Sequence, residues 1–182
     1  MTLTPIRRDM SVAELAALVC QHLADQGIEA VLTGGAVVSI YSENEYRSDD
    51  LDFICTARQR DLVLAMAAIG FRPDKGRYFV HPDTDLFIEF PAPPLAIGNE
   101  PIHEVAEQKL PNGVLKLLTP TQCVMDRLAA FYHWNDPQAR RQAALVAAHH
   151  PIDWPQVERW SRNEGSLEKF RSFRASLTDR RK

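Results

Sequence analysis

The sequence predicts an α+β fold: a sheet flanked by helices to about residue 118, then a C-terminal helical bundle. Short apolar strand-length runs alternate with helical stretches up to Leu118, and beyond Thr119 only helical periodicity remains. Proline and glycine fall between these runs rather than inside them.

The first helix reads over Ser11 to Gln26, where Val12, Leu15, Leu18, Val19 and Leu23 repeat with a 3.6-residue period. Ser11 and Glu14 form a capping-box pattern, and Gly27 ends the helix. Ile28 to Thr33 is the first strand, Ala36 to Tyr41 starts the second helix, and Leu51 to Cys55 is the second strand. Gln59 to Ile69 is the third helix, closed by Gly70. Arg77 to His81 and Leu86 to Phe90 read as an antiparallel pair around Pro82-Asp83-Thr84, stopped by Pro91, since proline cannot continue a ladder. Pro101 to Leu118 reads as short strands and loop. Thr119 caps a helix with Pro120 at its first position, running to about Trp134. Pro137 to His149, Pro155 to Ser161 and Ser166 to Leu177 complete the bundle. The chain divides into a sheet region, 1–118, and a helical region, 119–182.

Chemistry concentrates between Val31 and Cys55. An apolar strand runs into Gly34-Gly35, an apolar helical segment follows, and the next strand carries Asp50 and Asp52. Strand side chains alternate, so both carboxylates face one way while Leu51 and Phe53 face the core. Carboxylates kept side by side repel, and a divalent cation such as Mg²⁺ is the usual reason to keep them. Glycine N–H groups at a helix N-terminus suit phosphate. Together these point to nucleotide chemistry, against the bland alternative of a turn and a solvent-facing strand end.

The arrangement resembles the nucleotidyltransferase superfamily, whose signature is a strand, Gly-Gly or Gly-Ser, a spacer, then Asp-x-Asp among apolar residues. Arg47-Ser48-Asp49-Asp50-Leu51-Asp52-Phe53 looks most like the abortive-infection (AbiEii-like) toxin branch, and the spacer implies an extended loop over Tyr41 to Arg47. The resemblance implies a nucleotidyltransferase-like mixed sheet and Mg²⁺-dependent transfer of a nucleoside monophosphate from an NTP to an acceptor. Asp50, Asp52 and Glu89 are the implied catalytic and metal-binding acids. Gly34, Gly35, Arg47 and Ser48 are the implied nucleotide contacts. Glu89 is favoured over Asp85 as the third acid because Ile88 and Phe90 flank it. The acceptor is open: RNA, a protein hydroxyl or an antibiotic-like small molecule. An antitoxin partner and a catalytically impaired nucleotide-binding module are further readings.

Other residues carry weaker signals. Asp126 and Arg127 are adjacent on a helix and are expected on different faces, with Arg127 bound to a phosphate or a carboxylate. Asp136 reads as a helix N-cap. Lys109 or Lys116 could reach a triphosphate, against a default of solvent. His149-His150 reads as a C-terminal cap rather than a metal site. Phe131, Tyr132, Trp134, Trp154 and Trp160 read as bundle core, with base stacking the alternative.

The composition is that of a globular protein: 182 residues, 45% hydrophobic, 25% charged. No apolar run approaches the ~20 residues of a membrane span, and Met1 to Asp9 lacks a secretory pattern. Cys20, Cys55 and Cys123 lie in apolar surroundings without metal spacing, as buried thiols in a reducing cytoplasm would. The net charge is −3, yet Arg159 to Lys182 holds eight Lys or Arg against three acids. A solvated helix end is the commoner cause of such a stretch, and a polyanion surface the alternative.

Overall fold

The computed structural model describes residues 5–75 and 77–179. Helix α1 (Val12–Asp25) begins at the expected capping box, with both reciprocal Ser11–Glu14 bonds made. Strand β1 (Ala30–Thr33) leads directly into α2 (Gly34–Tyr41), so the helix starts at the glycine pair itself, two residues earlier than the apolar pattern suggests. Strand β2 (Asp50–Cys55) and α3 (Gln59–Ala68) follow. Between α2 and β2, Glu43 and Asn44 take positive φ, which turns the extended loop.

The following residues form β3 (Arg72–Pro73), β4 (Tyr78–Val80) and β5 (Phe87–Glu89), then a small hairpin, β6 (Ala96–Ile97) and β7 (Glu100–Pro101). Strands β8 (Ala106–Leu110) and β9 (Gly113–Leu117) make a second hairpin. The expected β4–β5 pair is antiparallel, with Tyr78 opposite Glu89. The sheet among the described residues is mixed, in the order β3-β4-β5-β2-β1-β9-β8. Strand β1 runs antiparallel to β2, and β2 runs parallel to β5, with Asp50 opposite Phe87 and Asp52 opposite Glu89.

Burial in β2 alternates as the sequence requires, with Leu51 and Phe53 fully buried and both aspartates partly exposed. Helix α1 packs on β9, and α2 lies over β2. The helical part comprises α4 (Pro120–Trp134), α5 (Pro137–His149), α6 (Trp154–Asn163) and α7 (Leu167–Asp179). Thr119 and Gln122 form a second capping box, and Asp136 caps α5 by accepting from Gln138 N and Ala139 N. Helix α4 packs on α5, and α2 touches both. Among the described residues no helix is long and apolar enough to cross a membrane.

Two aromatic expectations divide. Trp160 is fully buried and donates its indole N–H to Ile97 O at 3.1 Å. Trp134 is 80% exposed, because α4 ends there and Asn135 turns away in the left-handed conformation. Cys20, Cys55 and Cys123 are free and buried. The basic C-terminal stretch is no appendage: Phe170 and Phe173 are buried in the core. Its cations are engaged within the chain, Arg159 by Glu100, Arg162 by Glu158, Arg171 by Glu168, while Lys169 donates to Tyr132 O and Arg174 sits over Trp154. Arg180, Arg181 and Lys182 lie outside the described residues.

Candidate active site

The C-terminal end of β1, the N-terminus of α2, β2 and β5 meet at an open cleft of about 500 Å³. Because Asp50 and Asp52 share a face of β2, and Asp52 pairs in register with Glu89, the three carboxylates converge. Their nearest oxygens all lie within 4.8 Å of one another. Asp85 stands before β5 on an exposed bend, outside this cluster.

Gly34 makes the close approach possible. Its φ is +69°, and a Cβ there would lie 2.5 Å from Asp52 Oδ2. Only glycine combines that backbone with that neighbour. A Cβ on Gly35 would lie 2.9 Å from Ser48 Oγ and 3.3 Å from the Tyr46 hydroxyl. The glycine pair thus lets the acidic strand and its loop close onto the start of α2.

Ser48, one of the implied nucleotide contacts, is buried and lies outside the cleft lining. Its Oγ donates to Asp50 Oδ1 at 2.8 Å, and its N–H donates to Ser39 Oγ at 2.8 Å. Ser39 Oγ in turn donates to Gly35 O at 3.3 Å, so one chain of bonds ties the Asp50 carboxylate to the glycine turn. Arg47 is exposed and also lies outside the lining.

Two cations enter the cleft: Arg77, which the sequence reading had not assigned, and Arg127, expected to meet a phosphate or a carboxylate. Arg77, beside the Tyr78–Glu89 register position, forms an ion pair with the buried Glu89 through its Nε. Arg127 and Asp126 both line the cleft, contrary to the expectation of separate faces. Adjacent helix residues diverge by about 100°, but the long guanidinium curls back, and Arg127 Nε donates to Asp126 Oδ2 at 3.0 Å. Burial opposes the Arg127 charge, but Asp126, Cys123 and Asp52 hold its pKa above the ordinary value.

Lys116 pairs with Glu29, just before β1 and so at the far end of that strand from Gly34, while Lys109 is exposed on the edge strand β8. His150 hydrogen-bonds Tyr41 O, and His149 contacts Leu145 O and Glu45, as capping residues do.

The electrostatics of the cleft are unbalanced. Burial, then Asp50, then Glu89 push the Asp52 carboxyl up to about 7 from 3.8, with Arg127 the opposing influence. Three hard oxygen donors with a charge deficit suit a divalent cation of the Mg²⁺ type.

Among solved structures, the chain is similar to an antigenic nucleotidyltransferase-like protein from Paracoccidioides brasiliensis. The TM-score is 0.66, with 97% of this chain and 94% of that one covered, at 14% identity. It is also similar to the antibiotic-resistance factor ANT(2'')-Ia, with a TM-score of 0.51, coverage of 93% and 96%, and 15% identity. No family model matches the sequence, and no curated protein matches it. At these identities the likeness is one of architecture: this chain has a nucleotidyltransferase-like fold.

Proposed function

We propose that the protein transfers a nucleoside monophosphate from an NTP to an acceptor hydroxyl, with Asp50, Asp52 and Glu89 holding Mg²⁺. The observation that carries the reading is the convergence of these three carboxylates against the glycine turn at the start of α2. Bound there, Mg²⁺ would offset the triphosphate charge and stabilise the attacking and leaving oxygens. The Gly34 and Gly35 N–H groups would bind phosphate oxygens. Arg127, paired with Asp126 on α4, would face the transferred phosphoryl group from the cleft lining. Glu89 would take the proton of the acceptor hydroxyl once Arg77 releases it. Ser48 keeps one Asp50 oxygen oriented. The sheet region, 1–118, supplies these groups, and the helical region, 119–182, would present the acceptor.

A second reading is favoured by one contact. With Arg77 paired to Glu89, the third acid is engaged, as in a module that binds nucleotide without turning it over. The two are separated by incubating the protein with each α-labelled NTP, Mg²⁺ and either total RNA or an aminoglycoside mixture. Label transfer with pyrophosphate release supports the enzyme. Mg²⁺-dependent nucleotide binding without pyrophosphate supports the module. RNA labelling would favour a toxin of the toxin–antitoxin kind, and aminoglycoside labelling an antibiotic-modifying enzyme. The buried free thiols suit a reducing compartment, and we place the protein in the cytoplasm.

A further inference from the structure

Strand β8 ends the sheet, and among the described residues no strand pairs with its outer edge. Its ladder with β9 sets Glu107 opposite Lys116, Gln108 opposite Leu115 and Lys109 opposite Val114. The Val114 N–H donates to Gln21 Oε1 at 3.1 Å, and the Lys116 N–H donates to Cys20 Sγ at 3.4 Å. Both residues therefore turn their backbone groups away from β8. In an antiparallel ladder the residues opposite them do the same. The N–H and C=O groups of Glu107 and Lys109 thus face outward along the free edge, a template for another strand. Both side chains are exposed on one face of the sheet. Ala106, Gln108 and Leu110 are half-buried on the other, which carries the buried Leu115 and Leu117.

We propose that β8 is the contact between two copies of this chain, joined antiparallel about a two-fold axis at Gln108. Outward backbone groups meet only when Glu107 or Lys109 of one copy stands opposite Glu107 or Lys109 of the other. Slipping by one residue would set them against groups already turned inward. Glu107 opposite Glu107, or Lys109 opposite Lys109, brings like charges together and is disfavoured. Glu107 opposite Lys109 of the second copy matches both symmetric pairs at once. Ala106 then meets Leu110, and Gln108 meets its own copy at the axis. Lys109, which has the uncharged Val114 across its own ladder, gains a carboxylate.

The contact is self-complementary, as a two-fold interface requires. Two strands of this length joined edge to edge bury a small area, so the dimer should be weak and reversible. No residue of β8 lines the cleft, so both clefts stay open and the contact is independent of how they are read.

The test is sedimentation equilibrium of the full chain from about 1 µM to about 1 mM, the range that suits a small interface. It should show a monomer–dimer equilibrium that weakens with added salt. Lys109→Glu and Glu107→Lys should each weaken it at least about tenfold, because each turns both opposite-charge pairs into like-charge pairs. Mixed in equal amounts, the two variants should recover the dimer, since one carries acid at both positions and the other base. The double exchange in one chain should dimerise like the wild type. Gln108→Cys should form an intermolecular disulfide on mild oxidation, because a pair at the axis brings its Cα atoms to about 4.5 Å, whereas the native thiols are buried. Melting temperatures of the dilute variants should match the wild type. A chain that stays monomeric throughout, a dimer that neither reversal weakens, or a mixture no better than its components would overturn the contact. Absence of the disulfide would overturn the register.

Discussion

Asp52→Asn is the perturbation that most directly reads the electrostatic cost of the cleft. Its carboxyl sits at about 7 in the fold, against an ordinary 3.8, through burial and the neighbouring Asp50 and Glu89 charges. The folded state therefore holds a proton that the unfolded state has already released between those two values. Stability contributed by this group is fully present below about pH 4 and is lost as the pH rises toward 7. At about 1.4 kcal/mol per pH unit, the loss without a metal has a ceiling of ~4 kcal/mol. Movement of Arg77 and Arg127 toward the ionised cluster reduces it, and ~2 kcal/mol is the expected size. The asparagine variant keeps the shape and carries no charge, so it should not lose this stability. Thermal unfolding in chelator at pH 4 and pH 8 tests the idea. The two proteins should melt together at pH 4, and the variant should melt ~4–8 °C higher at pH 8, given ~2–4 °C per kcal/mol for a chain of this length. Added Mg²⁺ should close the gap by stabilising only the wild type. Parallel stability curves across this pH range would refute both the charge crowding and the metal assignment that rests on it.

The other predictions concern the groups around that carboxylate. Gly34→Ala places a methyl group against Asp52 Oδ2 on a left-handed backbone, and should cost ~1–2 kcal/mol while lowering Mg²⁺ affinity; calorimetric titration beside thermal unfolding reads both. Ser48→Ala removes the donor to Asp50 Oδ1 and should weaken Mg²⁺ at least ~10-fold, the usual cost of losing a group that orients a ligand, as measured by isothermal titration. Arg77→Ala releases Glu89 and should strengthen Mg²⁺ binding; affinity unchanged or weakened would show that the ion pair does not compete with the cation. Trp134→Ala should leave the melting temperature within ~1 °C, since an indole that is 80% exposed contributes little to packing, and a large drop in a thermal melt would contradict its placement.

The elements that the sequence announces are those whose determinants are local. The Ser11–Glu14 capping box, the proline-led starts of α4 and α5, and the alternation of β2 are written in residues one to three apart, and the structure has them where the pattern puts them. The Asp50–Asp52 pair belongs to this class. Its partner does not. Glu89 lies far along the chain, and its place beside Asp52 depends on parallel β2–β5 register, which no local pattern encodes. Asp126 and Arg127 were obscured for a different reason: a helical wheel ranks Cα directions, whereas an arginine reaches far enough to fold back onto its neighbour. Trp134 was misplaced because aromatic character suggests burial, but burial at a helix end depends on where the chain turns next. The charge excess after Arg159 is answered partly from elsewhere in the fold, by Glu100 and the Trp154 ring, which no local pattern near Arg159 announces.

The pairing of charges within the cleft has a consequence for how the site could be controlled. Asp50, Asp52, Glu89 and Asp126 supply four acids, and Arg77 and Arg127 two cations, all lining one cavity. Each arginine already has a carboxylate: Arg77 holds Glu89, and Arg127 holds Asp126. The unmatched charge therefore falls on Asp50 and Asp52, the pair set against the glycine turn. An incoming divalent cation answers that deficit directly, whereas an incoming triphosphate without a cation would worsen it. The cleft's own charge balance thus argues for binding of nucleotide together with metal rather than nucleotide alone. The arginines act as counter-ions that keep the remaining acids from adding to the repulsion, and under the proposed function substrate phosphates would compete for them. In that arrangement Glu89 becomes available only when Arg77 moves, so the completeness of the acidic triad would depend on what else occupies the cleft.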